Sequence, residues 1–251
     1  MRDLLVGKRI VITGAARGLG FSFAQAAAQQ GAHVVLCDIL EQRLQESVET
    51  LRNQGFDAQG VQLDLASPDS IAHAFDIIGQ QGVIDGLINN AALATGVGGK
   101  LLDEYDIALW DNVMTVNVRG TWLVTKAALP FLKLSGHGKI VNIASDTALW
   151  GAPKLMAYVA SKGAIISMTR SMARELGTHR ICVNAIAPGL TKVEATEYVP
   201  AERHQLYENG RALQGEQIPE DVTGTALYLL SPMANFVTGQ LIPVNGGFVF
   251  N

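Results

Sequence analysis

A chain of 251 residues, 48% hydrophobic and 17% charged, is long enough to bury a substantial core and apolar enough for strands covered on both faces. A formal net charge of −4, with no local cluster of Lys and Arg, argues against nucleic acid or an anionic membrane as a partner. Cys37 and Cys182 lie in separate apolar runs without ligand spacing, so neither a disulfide nor a metal site is expected, and a reducing cytoplasm is the natural compartment.

The first apolar run is too short for a signal peptide and leads into a strand at 9–14. An Ala-rich helix over 20–31 closes on glycine, and 33–38 reads as the next strand. A charged helix at 41–55 precedes a strand at 58–64, after which Ser67 reads as an N-cap with Pro68 in the first helical position. Strands at 83–91 and 139–145 bracket helices around 103–118 and 121–134. A helix over 156–176 leads to a strand at 181–189, and a helix at 219–230 to a seventh strand at 240–246. This alternation predicts right-handed βαβ units in a single α/β domain spanning 1–251. The expected architecture is a Rossmann-type, doubly wound parallel sheet of seven strands with helices on both faces. The stretch 190–218 is not committed to the sheet and is expected to form a substrate-binding excursion or lid.

TGAARGLG, residues 13–20, follows the first strand and opens the first helix. Gly14, Gly18 and Gly20 allow a tight turn and close approach of backbone to a pyrophosphate at the helix N-terminus. Asp38 ends the second strand, where a carboxylate accepts from ribose hydroxyls and repels a 2′-phosphate, which favours NAD over NADP; a solvated residue starting the next turn is the plain alternative. Arg17 pulls the other way, since a cation there can pair with a 2′-phosphate, although it can also turn to solvent. Asp64 ends the third strand and is placed to bond an adenine amino group. Asn89 and Asn90 are poor strand formers at a strand end, which suggests specific hydrogen bonds or a plain turn.

Tyr158 and Lys162 lie four positions apart, one helical turn on the same face. An ammonium beside a phenol lowers its pKa from about 10, which suits a proton-transferring group; a core tyrosine with a snorkelling lysine is the plain alternative. Ser145 ends the fifth strand, thirteen residues before the tyrosine, at the sheet edge where such folds bind ligands. Its other possible role is to cap a turn. Asn117 sits in a helical segment where Asn is unfavourable, which hints at a task beyond structure.

With TGAARGLG, Asp38, NNAA (89–92), Asn117, Ser145, YVASK (158–162) and APGLT (187–191) in this order, the chain resembles the short-chain dehydrogenase/reductase family over its whole length. The resemblance implies that Ser145 orients a carbonyl or hydroxyl, Tyr158 is the general acid/base, Lys162 binds the nicotinamide ribose and lowers the tyrosine pKa, and Asn117 holds a relay water. It also implies a dinucleotide site drawn from Gly14, Arg17, Gly18, Leu19, Gly20, Asp38, Asp64, Leu65, Asn90, Ala91, Tyr158, Lys162, Pro188, Gly189, Leu190 and Thr191. Three residues between Tyr158 and Lys162, rather than six, argue against the enoyl-reductase branch. Ala92 and Asn245 depart from the family's more frequent Gly and Asp.

The implied reaction is NAD-dependent hydride transfer to or from a secondary alcohol. The alternatives are an NADP-linked ketoreductase of oxo-acyl or quinone-like substrates, and a dinucleotide-sensing protein without turnover. Leu93, Leu149, Trp150, Val193, Tyr198 and Tyr207, with Lys154 and Arg211 nearby, suggest a pocket for a cyclic, aromatic or otherwise hydrophobic alcohol or ketone, or else packing and subunit contacts. The apolar ending GGFVFN is placed to reach a neighbouring subunit of the homotetramer usual in the family.

Overall fold

The computed structural model describes residues 3–251. Its seven strands are β1 (Arg9–Thr13), β2 (His33–Asp38), β3 (Ala58–Gln62), β4 (Gly86–Asn89), β5 (Lys139–Ile143), β6 (Cys182–Pro188) and β7 (Leu241–Val244). They form one sheet in the order β3-β2-β1-β4-β5-β6-β7, and every pairing is parallel. The winding direction reverses between β1 and β4, so the loops leaving their carboxyl ends splay apart there and open a crevice.

Helices cover both faces because successive strand residues point to opposite sides. On one face Ile10, Ile12, Val34 and Leu36 pack under α1 (Gly18–Gln29), α2 (Glu41–Asn53) and α9 (Glu220–Leu230) through Phe23, Leu44 and Leu229. On the other face Val11, Val35 and Leu87 meet α3 (Pro68–Gly79), α5 (Thr121–Leu134) and α7 (Met156–Leu176) through Phe75, Val124 and Ala173. Ser67 caps α3, accepting from the Ser70 N–H at 3.2 Å, with Pro68 in its first turn as the sequence predicts.

Two expected elements differ. The fourth strand pairs only over Gly86–Asn89, because the Asn90 and Ala91 N–H groups turn aside to the Thr13 hydroxyl, each at 3.1 Å. The helix expected at 103–118 begins at Ile107, where Asp106 accepts from the Ala108 N–H at 3.0 Å. This helix, α4 (Ile107–Met114), does not break before α5; a π-helical turn over Thr115–Gly120 joins the two.

The excursion leaves and rejoins the sheet at one point. Its base is closed by a bridge between Thr191 and Gln217, with the Lys192 N–H donating to the Gln217 carbonyl at 2.7 Å. Between them lie a 3-10 turn (Glu194–Thr196) and α8 (Ala201–Gly210). No helix among the described residues is long and apolar enough to cross a membrane.

Candidate active site

The glycine turn after β1 is built by close backbone contact. A Cβ on Gly14 would stand 2.8 Å from the Ala91 Cα, and one on Gly20 would collide with the Gly14 carbonyl. A Cβ on Gly18 would make only an ordinary contact with Val193 at 3.8 Å, but its φ of +56° favours glycine. The Asn90 amide ties the turn to β4, donating to the Thr13 and Gly14 carbonyls at 3.0 and 3.1 Å. No side chain caps the first turn of α1, so its N–H groups, from Gly18 through Leu19 to Gly20, are left for an anion. This cradle fits a dinucleotide pyrophosphate.

Asp38 is 9% exposed at the end of β2; its two carboxylate oxygens accept from the Ala16 and Leu40 N–H groups, both at 3.0 Å. The charge is thereby fixed beside the glycine turn. Arg17 is exposed and also paired: its Nη1 donates to Glu194 Oε1 at 2.6 Å, while Arg43 reaches the other oxygen at 3.3 Å. Asp64 accepts from the Ala66 N–H at 2.8 Å, so it also serves the turn, and Leu65 is buried beneath Gly120. After β6, Gly189 packs so tightly that a Cβ would stand 2.7 Å from Gln217 Oε1. Pro188, Leu190 and Thr191 flank it, with the Thr191 hydroxyl donating to the Gly189 carbonyl at 3.1 Å.

Ser145 follows β5 and is 8% exposed. Its oxygen accepts from the Thr147 hydroxyl at 2.9 Å and, more weakly, from the Thr147 N–H at 3.3 Å. With both acceptor positions engaged, its own O–H is free to donate into the crevice. Tyr158 and Lys162 share one face of α7, the ammonium 5.5 Å from the ring centroid. Lys162 is 4% exposed and donates to the Ile143 carbonyl at 2.7 Å, which locks it under the end of β5.

The expected lowering of the tyrosine pKa is not seen in this state. Burial raises the phenol above its ordinary range, Ser145 close by pulls it back, and Tyr198 and Asp146 push it further up. The reason lies in Lys162: burial lowers its own pKa to about 8, and its ammonium is aimed at a carbonyl rather than at the phenol oxygen. Asn117 is buried, its side chain accepting from the Leu93 N–H at 2.7 Å and donating to the Leu93 carbonyl at 3.2 Å and to Ser161 at 3.1 Å. Its carbonyl accepts from Thr121 at 2.8 Å. It braces the loop after β4 against α7.

Of the residues expected around the substrate, Leu93, Leu149, Trp150 and Val193 are partly exposed, Leu93 packing in the cluster that holds Tyr158 and Val193 standing beside Gly18, and Tyr198 lies exposed on the excursion with its hydroxyl on the Ala94 carbonyl. Tyr207 is a correction. It is 2% exposed, its hydroxyl donates to Asp146 at 2.7 Å and accepts from the Trp150 indole at 3.1 Å, and its ring stacks on Phe248 at 4.3 Å. Arg211 is likewise buried, holding the Leu190 and Gly215 carbonyls at 2.7 and 2.8 Å. Lys154 is exposed.

No sequence signal marks Asp146, although it adjoins Ser145. It is fully buried, and burial pushes its carboxyl up to about 6 against the opposing pull of Tyr207, Asn245, Arg211 and the Thr147 N–H. Asn245 therefore matters as an amide: an aspartate there would set a second carboxylate against this one.

Comparison with known proteins follows the same lines. The family model described as enoyl-(acyl carrier protein) reductase matches residues 14–249. The 3-oxoacyl-[acyl-carrier-protein] reductase FabG of Aquifex aeolicus (strain VF5) is 34% identical over 251 residues, covering 98% of this chain and 99% of its own. A short-chain type dehydrogenase/reductase from Mycobacterium marinum superposes with a TM-score of 0.91 at 31% identity, covering 98% of this chain and 97% of its own. A gluconate 5-dehydrogenase from Burkholderia cenocepacia J2315, solved in complex with NADP and tartrate, gives 0.92 at 30% identity with the same coverage.

Proposed function

The chain belongs to the short-chain dehydrogenase/reductase family and is an NAD(P)-dependent CH–OH dehydrogenase/ketoreductase, and from that premise we propose that it prefers NAD and acts on a secondary alcohol carried on a cyclic, aromatic or otherwise hydrophobic frame. The observation that carries the reading is the meeting of Ser145, Tyr158 and Lys162 at the carboxyl ends of β5 and β6, beside the glycine turn.

The dinucleotide supplies the hydride acceptor or donor. Gly14, Gly18, Leu19, Gly20, Asn90 and Ala91 form its cradle, Asp38 takes the adenosine ribose, and Pro188 to Thr191 line the nicotinamide end. The free O–H of Ser145 donates to the substrate oxygen and holds it within reach of the phenol. Tyr158 takes the hydroxyl proton in oxidation and returns it in reduction. In the free protein burial keeps the phenol protonated, so the donor role in reduction is ready at neutral pH, while oxidation requires stabilisation of the phenolate. Lys162 provides that stabilisation once its ammonium swings from the Ile143 carbonyl.

NAD preference is supported by the fixed Asp38 carboxylate and by the engagement of Arg17 with Glu194. The hydrophobic frame is supported by the partly exposed Leu93, Leu149, Trp150 and Val193. Exposed Ile107, Trp122, Phe236 and Phe250 support assembly into the homotetramer that the family resemblance implies, and the free, buried Cys37 and Cys182 suit a reducing cytoplasm. Tyr158→Phe tests the mechanism. Turnover followed at 340 nm over a panel of secondary alcohols is expected to fall at least about a thousandfold, on the scale of general acid/base catalysis. NAD binding should be kept, and retained turnover would refute the assignment.

A further inference from the structure

The cleft beside Asp38 contains more than the ribose reader. A cavity of about 580 Å³ opens there, lined by Arg17, Ile39, Leu40, Arg43 and the acidic Glu41 and Glu46. The Leu40 N–H that faces it is held by Asp38 at 3.0 Å. Two guanidinium groups project at its rim, and both are bound by a carboxylate from another part of the chain. Glu194 Oε1 meets Arg17 at 2.6 Å and Oε2 meets Arg43 at 3.3 Å, one oxygen to each cation. An acidic group gripped by two arginines occupies the place an external anion would take. The three side chains are 43%, 43% and 52% exposed, so the grip is exchangeable rather than sealed.

We propose that Glu194 is a specificity-determining residue for the cofactor: its carboxylate fills the arginine pair that a 2′-phosphate would otherwise use, and a 2′-phosphorylated dinucleotide binds only by expelling it. The inference rests on the reading of Asp38 and the glycine turn as a dinucleotide site. With Glu194 in place, Arg17 and Arg43 face four carboxylates, Glu194, Asp38, Glu41 and Glu46, and a phosphate dianion meets a net negative mouth. Without the glutamate one negative charge is gone and both guanidinium groups lose the carboxylate that grips them. Because Glu194 belongs to the excursion, its expulsion also detaches the start of that segment from the cofactor mouth. Choice of cofactor and position of the excursion are thus linked through one carboxylate.

The test is direct binding of NAD and of NADP, by calorimetry, to the whole protein and to Glu194→Gln. NADP affinity should rise about tenfold and gain salt dependence, while NAD affinity changes less than about twofold. The double substitution Glu194→Gln with Arg43→Ala should return NADP affinity to its starting value. In the unsubstituted protein, NADP but not NAD should speed tryptic cleavage within 190–218. An unmoved NADP affinity in Glu194→Gln, or equal changes for the two cofactors, would overturn the proposal. Asp38→Ala, measured alongside, tests the underlying reading separately: if it leaves NAD affinity unchanged, the ribose assignment fails, whatever Glu194 does.

Discussion

Where the excursion leaves the sheet, it is fastened by Glu194, half exposed between two arginines, and by the exposed Tyr198 on the Ala94 carbonyl. Where it returns, Tyr207, Arg211 and Gln217 are 2%, 5% and 6% exposed and are tied to Asp146, the Leu190 carbonyl and the Val244 carbonyl. Exposed ion pairs exchange readily with water and contribute little, whereas a buried donor or charge stripped of its partner costs several times more. One segment therefore has a fixed root and a releasable tip. The fixed root bears on Ser145 through its neighbour Asp146, and the releasable tip bears on the cofactor mouth.

The contrast can be broken experimentally. The largest effect is expected from Tyr207→Ala, which empties the space between Trp150 and Phe248 and strips Asp146 of its hydroxyl donor. Thermal unfolding should show a loss of about 3–5 kcal/mol, and a loss below about 1 kcal/mol would mean that the root is no firmer than the tip. Next comes Asp146→Asn. Burial raises the folded-state pKa of Asp146 to about 6 from an ordinary 3.8, so between roughly pH 4 and 6 the native state holds the proton that the unfolded chain releases. This group's contribution to stability is therefore lost as pH rises through that window, by up to roughly 3 kcal/mol, and stays lost above it. The asparagine variant should show a flatter stability profile from pH 4 to 6, and parallel profiles would remove Asp146 from the account. The smallest effect belongs to Tyr198→Phe, expected to cost under about 1 kcal/mol because the hydroxyl is open to water; a larger loss would place the tip on the same footing as the root.

Much of this was legible in the chain because it rests on local rules. β-branched runs and glycine stops mark the strands and helices, and the parallel topology brings Gly14, Asp38, Ser145, Tyr158 and Lys162 to one edge of the sheet. What could not be read depends on partners distant in sequence. Glu194 acquires its role from Arg17, 177 positions away, and Tyr207 lost its expected pocket role to Asp146, 61 positions away. Neither pairing leaves a periodic trace. The direction of the phenol pKa depends on such a partner too: spacing along a helix shows that Lys162 is near, but the carbonyl that takes its ammonium lies at the end of β5.

The π-helical turn at Thr115–Gly120 makes the site depend on counting as well as on chemistry. Each residue of an α-helix advances the phase by about 100°, so a single deletion within this turn would rotate α4 by that angle against α5. Val113, now packed with Val97 and Ala157 in the cluster that holds the Tyr158 ring, would face elsewhere. Residue number between Ile107 and Gly120 thus acts as a ruler for the tyrosine's bed. Grafts or chimaeras through this helix must keep the tally even where the side chains are free to change.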